Sequence, residues 1–239
     1  MPISGSDLHW YLSSSGASEG GAMSATEIVN GVDNNVFPDV SDSSRIAGGS
    51  MIRKVFVVNE HATDNFMTHS IYVKNAPTNA TPALGLGFDD ADDDDGAVGT
   101  LAAFTSGAKV ALVSDGSDTR SVDVWGVSGG VGVLETIVLT GNSEVLSIAT
   151  FSIVYAVHTT VSGSRTVSIR QGSSGTVRGT IGVGAVNCFG WIAAASKSVG
   201  ILLPESTPST GEGIWERVTW AAGAPAVYGN VFALQAEEI

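Results

Sequence analysis

The densest chemical potential in this chain lies in six aspartates, Asp89, Asp90, Asp92, Asp93, Asp94 and Asp95, in the run DDADDDDG. Carboxylates at every second position can wrap a calcium ion in oxygen ligands. An EF-hand loop counted from Asp90 places Asp95 at its sixth position, where glycine is needed for the turn. It also places Leu101 at the twelfth, where a bidentate glutamate is needed. Counting from Ala91 brings Gly96 into register but loses the first ligand. The EF-hand fails. Two readings stay open: a looser calcium site built on Asp90, Asp92 and Asp94, or a solvated acidic linker with no metal and no cofactor.

Other reactive groups are sparse. His9, His61, His69 and His158 show neither HxxxH nor HExxH spacing, and His69 alternates with apolar residues as a strand histidine would. Cys188, the single cysteine, lies in AVNCFGWI and reads as a buried, unreactive thiol. The chain has no G-x-S-x-G elbow and no P-loop, and Gly182-Val183-Gly184 is followed by Asn187 where a dinucleotide turn has a third glycine. No acid pair stands out at a glycosidase spacing. No residue is assigned a catalytic role, and the chain is not expected to be an enzyme. Of the tryptophans, most belong in a core, where a large ring buries much area. Trp10, Trp220 and Tyr228 are the interface candidates; the last two flank an apparent turn, where an exposed ring would serve as a protein anchor or a sugar platform.

The elements that must carry these residues follow from composition. At 239 residues the chain can build one large core or two small ones. Hydrophobic residues make up 43% and charged residues 15%, which excludes a disordered chain. Thirty glycines among Val, Thr and Ser favour short strands and tight turns. No run of eighteen strongly apolar residues appears, so no membrane span is expected. The opening MPISGSDLHWYL has neither a basic region nor an apolar core, so no signal peptide is expected. The net charge of −13 repels a phosphate backbone and disfavours nucleic acid as a partner.

Period-two alternation predicts strands at 9–12, 24–29, 53–58, 66–73 and 83–88, with 59–65 as the loop of a hairpin joining the third and fourth. Further strands are expected at 109–113, 152–157, 166–170, 176–183, 187–193, 214–220 and 231–235. The richest segment is Ser121–Phe151, where two β-rich runs flank Gly129-Gly130-Val131-Gly132 and a third follows Gly141-Asn142. It reads as a β-meander. Val133, Glu135, Ile137 and Leu139 should face one way, and Leu134, Thr136 and Val138 the other. Helical periodicity is ambiguous at 22–29 and hard to find elsewhere. The fold class is all-β, with antiparallel β-sandwich domains of Ig-like or jelly-roll-like type.

Glu135, Thr136, Ile137, Leu139, Gly141 and Phe151 stand in an order, ETI-L-G before a short loop and an apolar strand, that resembles a β-sandwich module common in virion proteins of tailed bacteriophages. The two ends of the chain resemble a small phage-associated β-sandwich family. SDLHWYLSSSGASEGGAMSATEI matches its opening, and Trp215, Arg217, Val218, Ala222, Gly223, Ala224, Asn230, Phe232 and Leu234 match its closing segment. The chain departs from that pattern at Trp220 and Pro225, and carries roughly a hundred extra residues in its middle.

That resemblance implies a discontinuous sandwich over 1–97 plus 187–239 and a second sandwich, over 98–186, inserted within it, with two sequential domains and a C-terminal arm as the alternative. It implies a structural component of a tailed-phage virion, made in the bacterial cytoplasm and displayed on the outer surface. The expected role is capsid decoration or cement. The partners would be the major capsid protein, other virion subunits and further copies of the chain, in a homo-oligomer such as a trimer. The alternative is a neck, tail or fibre accessory protein that binds host-surface glycans.

Overall fold

A computed structural model of the chain describes residues 3–4, 6–14, 20–32, 34–87, 98–105, 107–159, 161–226 and 233–239. The strands are β1 (Leu8–Ser13), β2 (Met23–Glu27), β3 (Gly49–Asn59), β4 (His69–Asn75), β5 (Thr81–Leu86), β6 (Val98–Thr100), β7 (Val110–Ser114), β8 (Ser121–Ser128) and β9 (Val131–Val138). They continue with β10 (Val145–Leu146), β11 (Ile153–His158), β12 (Val167–Gln171), β13 (Thr176–Ile181), β14 (Asn187–Phe189), β15 (Ile201–Leu203), β16 (Gly211–Trp220) and β17 (Ala233–Glu238). One short helix, α1 (Asp42–Ala47), and a 3-10 turn at Lys197–Val199 complete the described elements. The all-β reading holds. None of the described helices is long and apolar enough to cross a membrane.

Contacts divide the chain into two compact units: Met1–Ala91 with Ile192–Ile201 and Glu205–Ile239, and Asp92–Trp191 with Leu202–Pro204. The expected boundary at 187 needs correction, because β14 pairs with β11 and β6 and so belongs to the second unit.

The first unit is organised by a five-stranded antiparallel sheet in the order β2-β1-β3-β16-β5. Its centre is the β3–β16 ladder, ten positions from Gly49–Trp220 to Val58–Gly211. The expected β3–β4 hairpin does not form. β3 pairs instead with β1 and β16, while β4 pairs with the C-terminal strand β17. A long non-local ladder saturates both edges of β3 and leaves no hydrogen-bonding side for a local return arm. Val55, Phe56 and Val57 are all buried, so both faces of this sheet are covered. On one face His69 of β4 reaches Glu212 of β16 at 2.7 Å, which places the β4–β17 pair against it. On the other, Lys54 lies buried against Phe56 and Trp215 and donates from Nζ to the Gly21 carbonyl at 3.0 Å. The expected helix-or-strand segment at 22–29 is strand β2, and α1 falls where no periodicity was visible. Six residues are too few to show a period, but Ser41 caps α1 by accepting the Ser44 N–H at 3.2 Å.

The second unit is a two-sheet sandwich, β10-β7-β12-β13 against β6-β14-β11-β8-β9. Val110, Leu112, Val122, Val124, Phe151, Val157, Ile169 and Ile181 are fully buried in its core. β8 and β9 form a hairpin through Gly129 and Gly130, whose φ values of 61° and 86° are those of a type I′ turn. The meander then breaks. After the turn at Gly141 the chain crosses to the other sheet, where β10 pairs with β7 rather than with β9. Period two cannot reveal this switch, because a strand alternates in the same way in either sheet of a sandwich. The parallel β6–β14 pair was also unforeseen.

Candidate interaction surface

β9 ends its sheet, and its side chains alternate as the sequence dictates. Ile137 and the following Leu139 are buried, while Leu134 and Val138 are 46% and 55% exposed. Glu135 lies on the inward set, where an unpaired carboxylate would be costly. Its Oε1 accepts the Ile148 N–H at 2.5 Å, and its Oε2 accepts the Ala149 N–H at 2.9 Å. This clamp holds the loop after β10 beside β9 and presents Ile148, 87% exposed, next to the strand. The opposite side of the sandwich is seamed: β13 and β6 meet there, and Ala102 N–H donates to the Arg178 carbonyl at 2.7 Å. On the β9 side, the outward main-chain groups of the strand have no partner among the described residues. The result is a strand edge open to another chain over Leu134–Val138, while at Gly132 the Leu202–Leu203 backbone covers the outward face, since a Cβ there would lie 2.7 Å from the Leu202 carbonyl oxygen.

The residues singled out from sequence are scattered relative to this edge. Trp10 lies half-buried on β1. Trp220 is not the exposed anchor expected: it is 9% exposed, and its indole N–H donates to the Ser44 carbonyl at 3.1 Å, so the ring serves to fix α1. It lines a shallow pocket of about 450 Å³ with Asp39, Ser44 and Met51. Tyr228, Asp90, Asp92 and Asp94 lie outside the described residues. Cys188 is buried, and burial pushes its thiol up to about 12.

Several polar constellations have little signal in the sequence. On β1, His9 Nδ1 meets Glu27 Oε1 at 2.7 Å and its Nε2 lies 3.6 Å from Glu60 Oε2. The Glu27 hydrogen bond raises the imidazole above its ordinary value. Tyr11 donates to Glu60, and that bond pushes the phenol up to about 12. Tyr11 and Glu60 line a groove of about 660 Å³ with Met23, Ser24 and Ser209. Sequence separation hides this group, since β1, β2 and the end of β3 meet only in the folded sheet. His69 and Glu212 form a buried pair, with His69 Nδ1 held 2.9 Å from the Met67 carbonyl. Among the described residues, no three His, Cys, Asp or Glu side chains converge as metal ligands.

Glu216 is the exception, because the sequence does flag it. It falls on the apolar alternation Ile214, Val218 and Trp220 of β16, and it is buried with Oε2 unbonded. Burial alone pushes its carboxyl up to about 8.

Comparison with protein-family models, curated proteins and solved structures found no match to the chain.

Proposed function

We propose that the chain is a structural, non-enzymatic subunit of a tailed-phage virion, acting as a capsid decoration or cement protein that binds neighbouring virion subunits. The phage context rests on the resemblance of the ETI-L-G segment and of the two chain ends. The observation that carries a binding role is the open β9 edge, where alternate residues of the strand offer outward main-chain groups flanked by Leu134, Val138 and Ile148. The surplus acidity suits an outer surface that stays soluble and repels its neighbours.

Mass spectrometry and electron cryo-microscopy of purified particles test this reading. Copy numbers in the hundreds fit decoration, and about six or twelve fit a neck or tail position. Absence from the particle overturns it.

One feature favours the alternative of glycan recognition by a neck, tail or fibre accessory protein. The groove at Tyr11 sets an aromatic ring beside Glu60, Ser24 and Ser209, which are groups that bond sugar hydroxyls. Binding to a host-glycan array, lost in Tyr11→Ala, would favour that role over decoration.

A further inference from the structure

We infer that β9 is a self-pairing edge, through which two copies of the chain join antiparallel about a two-fold axis near Thr136 to make one continuous sheet. This self-pairing rests on reading β9 as an assembly surface. It does not depend on where in a particle the protein sits.

The local geometry fixes which groups are available. A two-residue turn makes Ser128 and Val131 the closing hydrogen-bonded pair of the hairpin, and bonded pairs then recur at every second residue. The N–H and carbonyl groups of Val131, Val133, Glu135 and Ile137 are therefore spent on β8. Those of Gly132, Leu134, Thr136 and Val138 point to the open side. Strands bring such an edge to a partner of the same kind, and natural edges are usually blunted by lysine, proline, a bulge or shortness. β9 has no lysine, proline or bulge and is eight residues long; its one charge is Glu135, turned inward. Its ladder with β8 is continuous over eight positions, whereas β10 and β6 have two and three residues.

Charge decides the occupant. The chain carries −13, so two copies repel over most of their surfaces. β9 has a single charged side chain, Glu135, and its carboxylate is turned inward onto the Ile148 and Ala149 N–H groups. No β9 carboxylate then opposes its copy, and the neighbouring acid on the outward face, Asp123 of β8, accepts a hydrogen bond from the Thr136 hydroxyl at 2.5 Å. With Thr136 facing Thr136 of the second copy, Leu134 of each chain lies opposite Val138 of the other. Both are exposed in the single chain, and both belong to the outward-bonding set. Three facing pairs then exchange about six main-chain hydrogen bonds, two per pair. Glu135 faces Ile137 of the other copy in this register, not another carboxylate.

The test uses the purified full-length protein. Sedimentation and light scattering should give twice the 24.4 kDa chain mass, and the double variant Leu134→Lys/Val138→Lys should give a monomer with an unchanged melting curve at matched low concentration. In Thr136→Cys the new thiol should cross-link two chains under mild oxidation, because bonded antiparallel pairs hold their Cα atoms at a disulfide-compatible separation. Cys188 is buried and does not compete. Thr176→Cys, on the edge strand β13, should not cross-link. A wild-type monomer at every concentration overturns self-pairing, as does a dimer indifferent to both lysines. A monomer whose β9 amides gain hydrogen-exchange protection only on particles would assign the edge to another virion protein, also overturning self-pairing while leaving the virion role standing.

Discussion

Glu135 on β9 and Ile148 beyond β10, thirteen residues apart, are tied by a 2.5 Å hydrogen bond from the Ile148 N–H to Oε1. With the Ala149 N–H on Oε2, one carboxylate fastens an edge strand of one sheet to the loop that follows the edge strand of the other. Glu135→Ala should release two N–H groups from their acceptor and, with Ile148 open to water, cost about 0.5–1.5 kcal/mol, read by urea denaturation. Hydrogen exchange at Ile148 and Ala149 should accelerate in the same variant. Unchanged exchange there would show that the clamp is not what holds the loop.

The pH dependence of the first unit should run against the usual direction for a carboxylate. Glu216 titrates near 8 in the folded chain and near its ordinary 4.5 when unfolded, so between these values the folded state holds more protons. Stability from this group is present at low pH and is lost as pH rises towards 8. Thermal melts of Glu216→Gln should lack that decline, and Glu216→Leu should exceed the wild type at pH 8 by about 1–3 kcal/mol. A wild-type decline of the same size in both variants would remove Glu216 as its cause.

Asp118 has the opposite sign. Arg120 donates to it from Nε at 3.1 Å and from a terminal nitrogen at 2.8 Å, which holds the carboxyl below its ordinary value. That contribution is present above the ordinary carboxylate value of 3.8 and is lost as pH falls through the lowered one. Arg120→Ala should leave Asp118 with only the main-chain N–H of residue 120 at 3.1 Å and the Ser114 hydroxyl at 3.5 Å as donors, and cost about 1–3 kcal/mol in denaturant. The same guanidinium also donates to the carbonyls of Val161 and Arg165, each at 3.2 Å. Gly163→Ala should displace it, since a Cβ there would lie 2.2 Å from its central carbon.

Gly126 marks the irregularity in the β8–β11 ladder, where the register shifts between Val154 and Ala156. A Cβ at this position would lie 2.2 Å from the Ile153 carbonyl oxygen and 2.7 Å from the Phe151 ring. Gly126→Ala should overpack the sandwich and cost about 1–3 kcal/mol, measured by denaturant midpoint. Gly129→Ala should also destabilise, but through its left-handed φ of 61° rather than through contact, since nothing lies near its missing Cβ.

Much of this molecule is legible in order along the chain. Alternation located β1, β3, β5, β7 to β9, β11 to β13 and β16, and it separated the two faces of β9, with Glu135 and Leu139 on the same one. Gly129-Gly130 fixed a tight hairpin because two consecutive left-handed residues are easily made only by glycine. Even the buried acid is visible, since Glu216 interrupts the apolar face Ile214, Val218 and Trp220. These are local consequences of side-chain period and backbone freedom.

Pairing is different, because every strand offers the same main-chain groups on both sides and its sequence does not name a partner. Only the tertiary structure joined β3 to β16 across more than 150 residues and gave β4 to the C-terminal strand. It also turned β10 away from β9. That last switch created the open edge of β9, while the Glu135 carboxylate, turned inward, bound Ile148 and Ala149 and removed the charge that would otherwise guard it. The sequence by itself determined an all-β chain and the face each strand shows. Which strands are neighbours, and therefore which edge is left open, was decided by long-range hydrogen bonding and burial between segments that no local pattern connects.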